Sequence, residues 1–321
     1  MPHVVLVLVE AVNDYLPLLE QAGFELIRAP TPASRAEAIA EHGGRIQAVL
    51  TRGPLGLRAD EIDALPSLQI ICVIGAGYEQ VDLQAASNRA ITVTNGAGAN
   101  APTVADHAMA LLLSLVRSIP QLDASVRRSE WNKPMLPTLE GKRMGILGLG
   151  AVGLAIARRA AHGFDMSISY HNRQPRPGTP YTYCASALEL ASTVDFLIVA
   201  TPGGGDTRHL IDRSVIDALG PQGYLINIAR ASVVDTQALV EALANGRIAG
   251  AGLDVFDDEP QVPDALKVLS NVVLTPHVAG QSPQAAQDTV QLVLDNLEAF
   301  YAGRPVLTPV QLPAATRHTA L

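Results

Sequence analysis

Arg143-Met144-Gly145-Ile146-Leu147-Gly148-Leu149-Gly150-Ala151-Val152-Gly153 is the stretch that decides the fold. A short run of strand character passes straight into a Gly-x-Gly-x-x-Gly turn, and Leu154-Ala155-Ile156-Ala157-Arg158-Arg159 continues in helical character. In such a unit the first glycine permits the tight turn, the second lets backbone approach a pyrophosphate, and the third lets helix pack on strand. The helix N-terminus adds attraction for phosphate charge. Glycines at a strand-to-helix turn also arise for packing alone. The strand before and the helix after favour a dinucleotide site at Gly148, Gly150, Ala151, Val152 and Gly153.

The next strand, Met166 to Tyr170, ends in His171-Asn172-Arg173-Gln174-Pro175-Arg176. About 20 residues past the fingerprint is where an Asp or Glu would hold the ribose 2′-hydroxyl of NAD. None stands there. Asn172 and Arg173 offer instead a hydrogen-bond donor and a fixed cation, which suit a 2′-phosphate. The sequence therefore predicts a site bordered by His171, Asn172 and Arg173 that prefers NADPH, with NAD as the secondary cofactor.

Around this unit, short β-branched apolar runs alternate with stretches at helical spacing, the pattern of parallel sheets covered on both faces by crossover helices. The expected class is α/β with two doubly wound parallel-sheet domains, a Rossmann cofactor domain inserted into a flavodoxin-like substrate domain. Strands are predicted at 3–9, 24–29, 47–51, 69–74 and 91–94, then at 143–148, 166–170, 195–200, 223–229, 249–253 and 271–275. One long helix is expected from Pro102 to about Arg128, long enough to bridge two domains, and another from Pro283 to about Tyr301. The predicted division is 1–98 plus 290–321 for the substrate domain and 99–289 for the dinucleotide-binding domain, with the Pro-rich tail packing back on the first.

The 321 residues, 48% of them hydrophobic, suffice for two cores. A net charge of −8 gives no basic stripe for nucleic acid. The apolar run at Val4–Val9 is too short for a membrane span or a signal segment, and no apolar stretch is long enough to span a bilayer, so neither membrane nor export is expected. Cys72 and Cys184 stand in no disulfide framework or metal-ligand spacing, which points to no metal and to a reducing, cytoplasmic setting.

Three further segments carry chemistry: Asn227-Ile228-Ala229-Arg230-Ala231, Gly252-Leu253-Asp254-Val255-Phe256-Asp257-Asp258-Glu259-Pro260, and Leu274-Thr275-Pro276-His277-Val278-Ala279-Gly280. Reducing a 2-oxo acid requires a cation for the carboxylate and an acid for the carbonyl oxygen, held near the hydride donor. Arg230, just past a strand end, has the planar fork for a carboxylate and the adjacent carbonyl. His277 also follows a strand, and Glu259 on the preceding loop can hold its imidazole. Taken singly, each is as well read as a surface charge or loop residue. In this order and spacing, and together with the fingerprint, Gly75-Ala76-Gly77 and Val104-Ala105-Asp106, the segments resemble the D-isomer-specific 2-hydroxyacid dehydrogenase family over nearly the whole chain. Within it the chain is most similar to NADPH-preferring glyoxylate/hydroxypyruvate reductases and hydroxyphenylpyruvate reductases.

The resemblance implies Arg230, Glu259 and His277 as the catalytic set. It implies cofactor contacts at Thr103, Thr201, Pro202, Thr207, Ile228, Asp254 and Gly280, with Asp254 on the nicotinamide carboxamide. Arg230 and His277 would also touch the substrate, with Leu55 as a pocket wall and Gly75, Ala76 and Gly77 as an anion nest for its carboxylate. The expected partner is a small 2-oxo or 2-hydroxy acid, and the expected assembly a homodimer, because the segment from Pro102 shows more apolar surface than a bridging helix must bury. His107 and His209 read as structural. The chain departs from the family at Ala151, where Arg is common, at Gly203-Gly204-Gly205, at Ala231, and at Glu79-Gln80. The alternatives are a reductase of aromatic 2-oxo acids and a non-catalytic, NAD(P)-sensing corepressor-like protein.

Overall fold

The computed structural model describes residues 2–316, and the predicted tail therefore lies outside the described residues from 317 onward. The chain forms two compact units, Met1–Asn100 with Gln281–Leu321, and Ala101–Gly280. The first holds a five-stranded parallel sheet: β1 (Val4–Val7), β2 (Glu25–Arg28), β3 (Ile46–Arg52), β4 (Ile70–Ile74) and β5 (Thr92–Asn95), in the order β2-β1-β3-β4-β5. The second holds seven parallel strands: β6 (Arg143–Leu147), β7 (Ser167–His171), β8 (Thr182–Tyr183), β9 (Phe196–Val199), β10 (Tyr224–Asn227), β11 (Gly250–Leu253) and β12 (Val272–Leu274), in the order β12-β11-β10-β9-β6-β7-β8. This is the expected class of two all-parallel α/β sheets.

The central strands read as continuous apolar runs because helices cover both their faces. Val4–Val7 and Phe196–Val199 are buried along their whole length. On β4, Ile71 faces one core and Ile70 and Cys72 the other. Burial pushes the Cys72 thiol up to about 12, so it stays protonated and behaves as a small hydrophobe.

Three expectations change. The helix predicted from Pro102 to Arg128 is two, Ala101–Val116 and Ile119–Arg127, bent by 60° where Ser118 takes a left-handed conformation. The first helix is buried against its own unit, with Val104, Ala108, Leu111, Leu112 and Leu115 in one core with β6 and β9, so it is not a bridge with apolar surface to spare. The second joint falls at Gln281 rather than 290. The helix Pro283–Tyr301 is continuous across that point, and Val290, Val293, Leu294 and Leu297 pack in the core of β1 and β4. The third change is the edge strand β8, whose two residues are too few to leave a periodic signal. The tail returns to the first unit as expected in outline: Val310 N donates to Val93 O at 2.8 Å and Asn95 N to Thr308 O at 3.1 Å.

Among the described residues no single helix is long and apolar enough to cross a membrane, and no group of three or more His, Cys, Asp or Glu side chains is placed to hold a metal ion.

One turn of the first unit is held by close backbone approach. Gly56 has φ +56°, and a Cβ there would stand 1.8 Å from the Gln80 carbonyl oxygen. Gly56→Ala should therefore cost more than the roughly 1–2 kcal/mol of a left-handed non-glycine residue, measured by chemical denaturation. A stability equal to wild type would show that the two loops separate freely.

Candidate active site

The C-terminal ends of the second unit's strands carry every candidate catalytic group. β10, β11 and β12 are neighbours, with Asn227 paired to Leu253 and Leu253 to Leu274. Arg230, Glu259 and His277 follow these three strands in turn, on one edge of one sheet whose strands stand about 4.8 Å apart. Ligands of open α/β sheets bind at that edge.

His277 Nδ1 lies 2.7 Å from Glu259 Oε2. A carboxylate only accepts, so Nδ1 carries the proton and Nε2 is the outward nitrogen. The Phe256 amide donates to Glu259 Oε1 at 3.0 Å and fixes the carboxylate from behind. The His277 backbone takes a left-handed φ of 52°, and its N–H donates to the Asp254 carbonyl at 2.9 Å.

Asp254 is fully buried, and it organises this loop from within. Its carboxylate accepts from Thr275 Oγ1 at 2.6 Å, Val278 N at 3.0 Å and Ala279 N at 2.9 Å. His107, from the helix Ala101–Val116, reaches Thr275 Oγ1 at 3.0 Å and lies 3.5 Å from Asp254 Oδ1. The structural reading of His107 thus acquires content, since it braces the loop that carries His277. Neither His107 nor Thr275 has a sequence signal that points to this; only the fold joins them.

Arg230 is half-buried and donates from Nη1 to the Ala229 carbonyl at 2.7 Å. Asn227, itself 2% exposed, clamps the same loop, with Nδ2 donating to the Arg230 carbonyl at 3.0 Å and Oδ1 accepting from Ala229 N at 3.0 Å. The departure at Gly203 has a physical use here. A Cβ at that position would meet Arg230 Cγ at 2.8 Å, so the missing side chain is the space the Arg230 stem occupies.

The glycine turn fits a dinucleotide on several independent observations. Gly148 has φ +99°, and a Cβ there would lie 2.7 Å from Thr201 N; one at Gly153 would lie 2.1 Å from the Gly148 carbonyl oxygen. The outer face of Gly150 meets nothing within 4 Å. The helix Ala151–Phe164 begins at Gly150 without a side-chain cap, whereas Thr31, Asp82, Ser186, Asp212, Asp235 and Ser282 each cap the helix that follows them. Its first N–H groups are left for a ligand. Pyrophosphate would lie against Gly148–Gly153. β6 and β9, where the strand order reverses, place Thr201 and Pro202 beside the turn.

At the ribose end the structure refines the sequence reading. Asn172 Oδ1 accepts from Leu149 N at 2.7 Å, and Arg176 Nη1 donates to Leu149 O at 2.7 Å, so both tie the loop after β7 to the fingerprint turn. Arg176 was not among the expected site residues. His171 Nδ1 donates to the Cys184 carbonyl at 2.9 Å, which engages its ring at the β8 edge. Arg173 is exposed. Ile228 is 9% exposed and belongs to the core. Thr207 Oγ1 donates to the Pro202 carbonyl at 2.8 Å, closing the loop after β9. Thr103 lies in the first turn of the helix Ala101–Val116, and Gly280 closes the unit after the His277 loop.

In the first unit, Leu55 follows β3 and Gly75-Ala76-Gly77 follows β4, which pair at Arg52 and Ile74. The Gly75 and Ala76 carbonyls accept from Gly96 N at 2.7 Å and Asn95 Nδ2 at 2.9 Å. These bonds tie the loop after β4 to the end of β5.

Residues 109–279 match the family model described as D-isomer specific 2-hydroxyacid dehydrogenase, NAD binding domain. Hydroxyphenylpyruvate reductase of Plectranthus scutellarioides is 44% identical over 301 residues, 93% of this chain and 96% of that one. A glyoxylate/hydroxypyruvate reductase A of Arabidopsis thaliana is 39% identical over 301 residues, again 93% and 96%. The crystal structure of an NADPH-dependent glyoxylate/hydroxypyruvate reductase from Sinorhizobium meliloti, in complex with NADP and malonate, is similar with a TM-score of 0.86 and 40% identity, covering 100% of both chains. With the glycine turn, the Arg230 loop and the His277–Glu259 pair in place, this chain belongs to the D-isomer-specific 2-hydroxyacid dehydrogenases and is an oxidoreductase of that family.

Proposed function

We propose that the protein catalyses the NADPH-dependent reduction of a small 2-oxo acid, of the glyoxylate or hydroxypyruvate type, to the D-2-hydroxy acid. The observation that carries this reading is the His277–Glu259 pair at 2.7 Å, on the same sheet edge as Arg230 and the uncapped glycine turn. When bound, the nicotinamide supplies the hydride that reaches the substrate's carbonyl carbon. Arg230 holds the carboxylate and polarises the carbonyl through its fork. His277 gives the Nε2 proton to the carbonyl oxygen, and Glu259 keeps the ring in place and stabilises it while charged. Thr103, Thr201, Pro202, Thr207, Ile228, Asp254 and Gly280 stay assigned to the cofactor, and Leu55 and Gly75–Gly77 to the substrate. Steady-state kcat/KM over a panel of 2-oxo acids tests the reading; no turnover of any of them with either cofactor would leave the sensing, corepressor-like alternative. Higher kcat/KM on 4-hydroxyphenylpyruvate than on glyoxylate would favour the aromatic reading, for which the 44% identity to a hydroxyphenylpyruvate reductase speaks.

NADPH is the expected cofactor because no carboxylate follows β7 and Arg173 is exposed there, while Arg176 is tied to the fingerprint turn through the Leu149 carbonyl. Arg173→Asp should cut kcat/KM for NADPH by about 10–10²-fold, the value of one charge-assisted phosphate contact of roughly 1.5–3 kcal/mol. The NADH value should hold or rise. An unaltered cofactor ratio in that variant would remove Arg173 from the site.

The proposal includes a homodimer, for a different reason from the one the sequence suggested. The helix Ala101–Val116 is covered by its own unit, but Ile119, Val126, Trp131 and Met135 are 53%, 55%, 76% and 99% exposed along one following segment. A second copy pairing through this segment would cover them. Light scattering should give twice the 33.8 kDa chain mass; a monomer at micromolar concentration would refute pairing. The reading also keeps a cytoplasmic setting, with which the two buried free thiols agree.

A further inference from the structure

The loop that carries Leu55 is gripped from both sides. On one side it meets the loop after β4, with Leu57 N donating to Gln80 O and Gln80 N to Gly53 O, each at 3.2 Å. On the other stands an ion pair, Arg35 Nη2 to Glu61 Oε2 at 2.5 Å, whose side chains are only 12% and 9% exposed. Arg35 comes from the helix Pro32–His42 and Glu61 from the helix Ala59–Asp63. The same guanidinium donates to the Gly56 carbonyl at 3.2 Å and reaches the Leu55 carbonyl at 3.4 Å, and Glu61 Oε2 accepts from Arg58 N at 2.9 Å. The pair thus engages the backbone at Leu55, Gly56 and Arg58, the whole exit of the turn.

Stability alone is a poor account of this arrangement. Arg35 Nε is buried with no hydrogen-bond partner, and apolar side chains of similar volume often serve a core as well as a buried ion pair does. What apolar groups cannot do is hold two successive carbonyls in fixed positions. A cavity of about 660 Å³, lined by Leu8, Pro30, Arg35, Ile39, Leu55 and Glu61 among others, lies directly beside the loop. Leu55 therefore has room on that side, and the clamp holds the turn together with Thr51 Oγ1, which donates to the Gly56 carbonyl at 2.9 Å.

We infer that Arg35 and Glu61 are positioning residues for substrate selection: they fix Leu55 and so limit the size of the 2-oxo acid side chain the enzyme accepts. This rests on the functional reading above, in which Leu55 walls the substrate. Released from the clamp, Leu55 moves toward the cavity and bulky 2-oxo acids gain relative to glyoxylate.

Two variants of the full-length protein test it. Arg35→Lys keeps a cation beside Glu61 but lacks the fork that reaches both carbonyls, and Arg35→Met/Glu61→Leu replaces the pair with apolar volume. In each, kcat/KM is measured for glyoxylate and phenylpyruvate with NADPH, and hydrogen exchange is followed at the amides of residues 55–57. The phenylpyruvate-to-glyoxylate ratio should rise about tenfold, within the range a pocket wall controls. Exchange at those amides should quicken by a similar factor, while KM for NADPH stays at the wild-type value. An unmoved substrate ratio, or unmoved exchange, in Arg35→Lys would overturn the clamp. Wild-type protein inactive on every 2-oxo acid would instead sink the functional reading, and the exchange rates alone would then decide whether the clamp holds the loop.

Discussion

Replacing His277 by alanine should lower kcat by about 10²–10⁴-fold, the usual loss when a positioned acid is removed, with little change in NADPH affinity. The geometry argues for so large an effect. Nδ1 is committed to Glu259 at 2.7 Å, Glu259 is itself fixed by the Phe256 amide, and the loop is pinned through buried Asp254. The imidazole thus presents Nε2 in a held orientation, and alanine loses that proton without disturbing Asp254, whose bonds run to Thr275 and the amides of Val278 and Ala279. Glu259→Gln keeps the shape and removes the charge that stabilises the imidazolium, so it should fall between wild type and His277→Ala in kcat. A His277→Ala enzyme with near wild-type kcat on its best 2-oxo acid would end the assignment of His277 as the acid.

Arg230→Lys should reduce kcat/KM by about 10²-fold or more, given roughly 1.5–3 kcal/mol for each hydrogen bond to a charged group and two made by the fork. A lysine keeps the charge but offers it as a point, so it cannot address the carboxylate and the carbonyl together. A rise in KM at constant kcat would assign Arg230 to ground-state binding only; a fall in both kcat and kcat/KM would show that it also polarises the carbonyl in the transition state. The surroundings should survive the change, because Asn227 grips the backbone of this loop rather than the Arg230 side chain. A lysine variant with unaltered kinetics would take Arg230 out of the site. Gly203→Ala offers an independent check, since its Cβ would press on the Arg230 stem at 2.8 Å and should reproduce part of the loss.

By itself the sequence determined the two parallel sheets and the glycine turn, and it offered Arg230, Glu259 and His277 as candidates at strand ends, because these are local facts. A β-branched run buried on both faces shows in neighbouring residues, and so does a strand-end loop that carries a fixed order of side chains. What the tertiary structure alone decided are the contacts between residues far apart in the chain. Asn172 and Arg176 fasten Leu149 from beyond β7, so the cofactor turn and the ribose loop are one piece. His107 meets Thr275 across 168 positions, and Arg35 meets Glu61 across 26. The break at Ser118 has a local cause in Pro120, in the first turn of the second helix, which has no N–H to donate to the Val116 carbonyl; only the packing shows that the first helix stays on its own sheet. Periodicity reports which face of an element is apolar, but the partner that covers that face, and the polar groups that meet beside it, are settled only when the elements pack.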